Sequence, residues 1–279
     1  MTGIRLAALD LDGTLLRSDQ TVSQRSRAAI AAARGAEMTM VIVTARSPRS
    51  VRGIAREAGL GGTAICSNGA TLFDLDADAV SAHRALPAEV AQRLVSGMRE
   101  VAPGVVFGWE LELRFGSEPA YEALRDASWW PRPEGSFPPV DALRWGRPVT
   151  KLLARLPGAD LDRVLPDAQR LAGGEAEVTL TGQAFVEFMA PGVSKEAALS
   201  ELSAANGLEP GAIAAFGDHV TDVGMLRWAG LGVAPANAHP AALEAADEVT
   251  ASNDDDGVAI VLERLVSRAG ARRSARSRR

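Results

Sequence analysis

Three short apolar runs in this chain each end on a cluster of polar residues. Residues 4–9 stop at Asp10-Leu11-Asp12-Gly13-Thr14. Residues 38–43 stop at Thr44-Ala45-Arg46. Residues 212–216 stop at Gly217-Asp218, with Thr221-Asp222 just beyond. Apolar runs with little alternation are what a strand covered on both faces requires. Helical segments lie between them. Ser23 is a candidate N-cap for a helix ending near Gly35, and Ser47-Pro48 forms an N-cap and first-turn pair for a helix through Glu57. A strand over 63–66 runs into Ser67-Asn68-Gly69. The C-terminal part continues the pattern, with helices over 194–205, 220–229 and 238–245 and strands over 212–216, 230–234 and 248–251. A last helix starts at Gly257 and ends near Val266. This alternation predicts an α/β fold, a Rossmann-like parallel sheet with helices on both faces.

The middle of the chain breaks the alternation. It reads as a helix over 87–101, a hairpin over 104–109 and 112–115, and a short helix over 121–127. An irregular Pro- and Trp-rich loop over 128–147 follows, carrying Trp129, Trp130 and Trp145. A strand over 149–156, a helix over 160–171 and a hairpin over 177–181 and 185–189 complete it. Paired hairpins and helices predict an inserted α+β cap domain. The expected division is a core of residues 1–83 and 190–266, a cap of residues 84–189, and a basic, disordered tail of residues 267–279.

Composition narrows the class. With 47% hydrophobic and 23% charged residues in 279, the chain is neither disordered nor collagen-like. The net charge of −5 argues against a general nucleic-acid binder. Residues 267–279 hold six arginines and no acid, so the body before them carries −11. One cysteine, Cys66, excludes an internal disulfide and a cysteine-built zinc site. No apolar run approaches the ~20 residues that span a bilayer, and the first 16 residues lack a signal-peptide layout. The expectation is a cytoplasmic protein with no membrane partner. Only two of the 30 basic residues are lysines, Lys151 and Lys195, so each is a rare choice.

In an open parallel sheet, ligands bind beyond the carboxyl ends of the strands. If the three strands are neighbours, Asp10, Asp12, Asp218 and Asp222 gather at one site, where a divalent cation relieves their repulsion. Mg²⁺ prefers oxygen ligands of this kind, with substrate phosphate completing its shell. Two carboxylates at i and i+2 can divide the work, one as nucleophile and one as acid and base. Thr44 can donate to a phosphoryl oxygen. Lys195 brings positive charge at the start of a helix, where anions are favoured. Arg46, Asn68 and Thr221 are candidate substrate contacts. His219, next to Asp218, reads as a loop histidine, because Mg²⁺ is a hard cation.

Asp10-Leu-Asp-Gly-Thr, Thr44, Lys195 in Gly-Val-Ser-Lys-Glu, and Gly217-Asp218…Thr221-Asp222 resemble, in order, the four motifs of the haloacid dehalogenase superfamily. The insert between the second and third motifs is similar to the large α/β cap of its Cof-type subfamily. Ile65-Cys-Ser-Asn-Gly-Ala70, Gly232-Val-Ala-Pro-Ala-Asn-Ala238 and Asn253…Asp256-Gly257-Val258 also resemble segments of that subfamily. The resemblance covers residues 4–265. It implies a Mg²⁺-dependent phosphatase acting on a small phosphorylated metabolite such as a sugar phosphate. In that reading Asp10 attacks phosphorus and Asp12 is acid and base. Asp10, the Asp12 carbonyl and Asp218 hold Mg²⁺ with support from Asp222, and Thr44 and Lys195 bind the phosphoryl group. The chain departs from the pattern at Thr221, where asparagine is usual, and at Ala45 and Glu196, where glycine is usual. A phosphomutase of the phosphomannomutase type and a non-catalytic phosphometabolite-binding protein with an eroded site are the alternatives.

Overall fold

The computed structural model describes residues 3–124, 146–181 and 185–276. The chain opens with β1 (Leu6–Leu9), α1 (Gln24–Gly35), β2 (Thr39–Val43), α2 (Pro48–Ala58) and β3 (Thr63–Cys66). Next come β4 (Thr71–Asp74), β5 (Ala79–His83), α3 (Ala88–Val101), β6 (Val106–Leu111), β7 (Arg114–Ser117) and α4 (Pro119–Ala123). β8 (Lys151–Arg155), α5 (Leu161–Ala172), β9 (Glu177–Thr181) and β10 (Phe185–Met189) follow. The C-terminal part holds α6 (Lys195–Ala205), β11 (Ile213–Phe216), α7 (Val223–Trp228), β12 (Leu231–Pro235), α8 (Pro240–Ala245), β13 (Glu248–Thr250) and α9 (Gly257–Arg276).

Eight strands form one sheet in the order β13-β12-β11-β1-β2-β3-β4-β5. From β13 to β3 the pairing is parallel. Successive residues of β1 point to opposite faces. Ala7 and Leu9 join a core with Ala29, Ile30 and Ala33 of α1, Val51 and Ala55 of α2, and Val261 and Leu262 of α9. Leu6 and Ala8 join a second core with Leu199 of α6, Met225 and Leu226 of α7, and Ala242 of α8. The expected helices on both faces are therefore present. In α1, Ser23 accepts a hydrogen bond from the Ser26 N–H, and the buried positions 26, 29, 30 and 33 recur at helical spacing.

The sheet is mixed, where the sequence predicted a parallel one. β4 pairs antiparallel with β3, and β5 antiparallel with β4. Edge strand β5 has no fully buried residue, so it lacks the apolar run that reveals the central strands. The turn before it did carry a signal: Asp74 accepts hydrogen bonds from the N–H groups of Asp76 and Ala77, as turn aspartates do. The last helix also differs. It runs to Arg276, past Val266, because alanine and arginine are strong helix formers and no proline intervenes.

A second, antiparallel sheet has the order β7-β6-β8-β10-β9 and is built from the predicted insert. α3 and α5 pack on it through Leu94, Met98 and Ala168, against Phe107, Leu152 and Phe188. The hairpin turn at Gly182-Gln183 and residues 125–145 lie outside the described residues, and with them Trp129, Trp130 and Trp145. Among the described residues, no helix is long and apolar enough to cross a membrane.

Phe73 tests whether the unexpected β4 belongs to the core. It is fully buried in the same cluster as α1 and α2. Phe73→Ala should destabilise the protein by about 3–5 kcal/mol, read as a lower denaturation midpoint; a loss below about 1 kcal/mol contradicts this packing.

Candidate active site

Strands β11, β1, β2 and β3 are consecutive neighbours. Their parallel direction places the segments that follow them side by side at one edge of the sheet. Asp10 follows β1, Thr44 follows β2, Ser67 follows β3, and Gly217-Asp218 follow β11.

Lys195 reaches this edge from the first turn of α6. Ser194 fixes that helix start by accepting a hydrogen bond from the Ala197 N–H at 3.0 Å. The Lys195 ammonium donates to Asp10 at 2.7 Å and to Asp222 at 2.6 Å, and all three side chains are buried. Burial alone would push the lysine down, but Asp10 and Asp222 overcome it and hold Lys195 above its ordinary value. Burial, with Asp222 and Asp218 nearby, pushes the Asp10 carboxyl well up against the opposing pull of Lys195. Asp218 is also raised, first by burial and then by Asp222, while a hydrogen bond from Thr14 and the charge of Lys195 pull the other way.

Carboxylate oxygens of Asp10, Asp218 and Asp222 lie within 4.8 Å of one another. The donor set is all hard oxygen, and burial, reinforced by the neighbouring carboxylates, holds Asp10 and Asp218 above the usual range. Both features fit a small divalent cation. Asp222 has a second task. One oxygen accepts from Lys195, and the other accepts from the N–H groups of Asp218 and His219 at 3.1 and 2.9 Å. It therefore braces the loop after β11 and the lysine together. Thr14 donates to Asp218 at 2.9 Å. Gly13 turns the chain at φ +73°, and a Cβ there would collide with the Asp218 carboxylate. Asn237 donates to the Gly13 carbonyl at 2.8 Å and accepts from the Asn253 N–H, while Asn253 donates to the Leu16 carbonyl. Two of the further segments noted in the sequence, 232–238 and 253–258, thus support the turn after β1.

The other residues singled out in the sequence take separate places around this cluster. Thr44 is fully buried at the same edge, its hydroxyl accepting from the Arg46 N–H at 3.1 Å. The Asp12 carboxylate is half exposed and stands apart from the acidic cluster; Arg46 grips both of its oxygens, with Nε at 2.7 Å from one. Arg46, expected at substrate, is thus engaged with Asp12 and with Gln20. Asn68 is buried beside the Thr44 loop. Thr221 lies in the short turn before Asp222, and no side-chain hydrogen bond of it is seen among the described residues. His219 forms part of that turn and packs against His239, with ring centroids 6.0 Å apart. Glu196 lies against Gly224 of α7, where it would meet any added Cβ, and it is not among the charges that set Lys195.

Sequence reading missed a group of buried polar residues joining the two sheets. Lys151 of β8 donates to the Ala45 carbonyl at 2.9 Å and to Glu187 of β10 at 3.0 Å. Glu187 also accepts from Asn68 at 3.3 Å. Ser67 donates to Glu110 of β6 at 2.9 Å, and Arg49 of α2 lies 3.6 Å from the same carboxylate. The rarity of lysine was the available signal for Lys151. Nothing in the local sequence marks Glu110 or Glu187, since each reads as an ordinary polar position in a strand.

The pattern of the haloacid dehalogenase-like hydrolases matches residues 7–262. A 5-amino-6-(5-phospho-D-ribitylamino)uracil phosphatase of Bacillus subtilis is 28% identical over 267 residues, covering 94% of this chain and 96% of its own. A pyridoxal phosphate phosphatase of Escherichia coli is 29% identical, covering 91% and 96%. A solved phosphatase of the haloalkanoate superfamily from Bacteroides thetaiotaomicron is 25% identical and superposes with a TM-score of 0.79, covering 94% of this chain and 95% of that one. With its motifs in order and the match spanning both sheets, the chain belongs to the haloacid dehalogenase-like hydrolase family.

Proposed function

We propose that the protein is a Mg²⁺-dependent phosphatase that hydrolyses a small phosphomonoester through an aspartyl-phosphate on Asp10. The observation that carries this reading is the buried Asp10 carboxylate, held by Lys195 and flanked by Asp218 and Asp222 at the strand ends. The similarity to phosphatases named for small phosphorylated metabolites supports it. A sugar phosphate or related metabolite is the substrate class proposed, and the cytoplasm, where such esters are made and consumed, is the proposed location.

Asp10 and Asp218, with the Asp12 carbonyl, are the groups that would hold Mg²⁺. The ion supplies positive charge that offsets the attacking carboxylate and the phosphoryl oxygens. Asp10 attacks phosphorus, and the ester oxygen leaves. Lys195 and the Thr44 hydroxyl bind phosphoryl oxygens, and Lys195 keeps Asp10 oriented. Asp12 protonates the departing oxygen and then takes a proton from the water that cleaves the acyl phosphate. Arg46 holds both Asp12 oxygens, so it yields one of them when Asp12 carries a proton.

Asp10→Asn removes the nucleophile, and phosphate release from a metabolite panel should fall by about 10³-fold or more. Release that continues undiminished sinks the mechanism. Mg²⁺ should raise the thermal midpoint, and more so at pH 8 than at pH 5. The folded values of Asp10 and Asp218 lie above their unfolded ones. Ionising them therefore costs stability, and the metal-free protein weakens as pH rises through the raised values. The cation displaces those protons and restores the loss. Gly13→Ala should weaken the Mg²⁺ response, because its Cβ is forced against Asp218; calorimetric titration of Mg²⁺ into both proteins measures this.

A further inference from the structure

The loop of Ser67, Asn68 and Gly69 lies against the loop of Thr44 and against the start of α6, which carries Lys195. Its Asn68 N–H donates to the Thr44 carbonyl at 2.9 Å, and its Ser67 N–H donates to the Arg46 carbonyl at 2.8 Å. Gly69 packs so closely on the Ser194 carbonyl, at the cap of α6, that a Cβ there would overlap it. Lys195 is the next residue. All three loop residues have positive φ, at 49°, 55° and 103°. Asparagine tolerates this region but Ser67 takes it at a cost, so contacts from outside help to hold the loop.

What holds it comes from the second sheet. Glu187 accepts from the Asn68 amide, and its carboxylate is tied to Lys151, which donates in turn to the Ala45 carbonyl. The Glu187 carboxylate requires a donor, which fixes the amide with its nitrogen toward Glu187. Glu110 accepts from Ser67 and lies beside Arg49. Lys151, Glu187 and Asn68 are each 2% exposed. The two acids are balanced by two bases, so the seam holds no uncompensated charge. Both loops that follow β2 and β3 are therefore gripped by one ammonium–carboxylate pair on the insert.

We propose that Lys151, Glu187 and Asn68 form a positioning relay that sets Thr44 and Lys195 for phosphoryl binding according to how the insert is seated on the core. Lys151 fixes Ala45, the neighbour of Thr44, directly. Glu187 acts through Asn68, whose backbone holds Thr44 and whose loop abuts the start of α6. None of the three has to touch the phosphoryl group. The relay rests on the phosphatase reading for the roles of Thr44 and Lys195, and its test is a binding measurement that needs no turnover.

The probe is inorganic phosphate, titrated calorimetrically into the Mg²⁺-loaded full chain. Lys151→Met alone strands Glu187 in the seam and risks unfolding. The paired variant Lys151→Met with Glu187→Leu removes both charges together, and Asn68→Ala cuts the relay elsewhere. Each should weaken phosphate binding about tenfold in protein that keeps the parent's cooperative melting. Combining Asn68→Ala with the paired variant should add little, because both break one chain of contacts. Phosphate affinity within twofold of the parent in both folded variants overturns the relay, and so do fully additive losses. If the parent binds phosphate but hydrolyses no ester, the phosphatase reading fails while the titration still decides the relay. A parent that binds no phosphate overturns both.

Discussion

The arrangement of the site depends on one buried ammonium shared by two buried carboxylates. Taking Lys195, Asp10 and Asp222 out of water is costly, and their mutual contacts offset that cost. Those contacts fix three separate stretches of chain relative to one another: the end of β1, the start of α6 and the turn after β11. Asp222 extends the bracing by accepting two backbone N–H groups of that turn. The net charge of the trio is −1, and Asp218 makes it −2. With the carboxylates ionised, that excess is what a bound divalent cation would offset. Structural cohesion and chemical poise have the same source here, and removing the lysine would disturb both.

The strand order makes this possible. A sheet in which β11, β1, β2 and β3 are adjacent and parallel delivers four loops to one edge with no further device. That much was legible in the sequence, because each central strand is an uninterrupted apolar run with a polar stop. Asp10, Thr44, Lys195, Asp218 and Asp222 declared themselves through those stops and through the motif order. The β4–β5 hairpin did not, since β5 is a solvent-facing edge whose residues have no burial pattern to show. The long α9 was misread because a string of arginines resembles a solvated tail, although alanine and arginine favour a helix as strongly as any pair.

The contacts between the two sheets were the least legible part. Glu110, Glu187 and Lys151 come from three strands of the insert, and their partners Arg49, Ser67 and Asn68 come from α2 and the loop after β3. Each pairing depends on how two sheets meet, which no local pattern encodes. Burial of charge usually marks a site or a registry device. Here the seam's polar groups favour the observed docking, since shifting the insert would part Glu110 from Arg49 and Ser67, and Lys151 from the Ala45 carbonyl.

Cys66 ends β3 and lies directly before the loop that grips Thr44. It is fully buried in the same core as α1 and α2, and burial pushes its thiol well up from the usual value. Oxidants and electrophiles react with the exposed thiolate, not with a buried neutral thiol. The sole sulfhydryl of the chain is thus insulated, although it directly precedes the loop that bonds the Thr44 and Arg46 carbonyls. Thiol oxidation is therefore closed as a route to the Thr44 loop for as long as the fold stays intact.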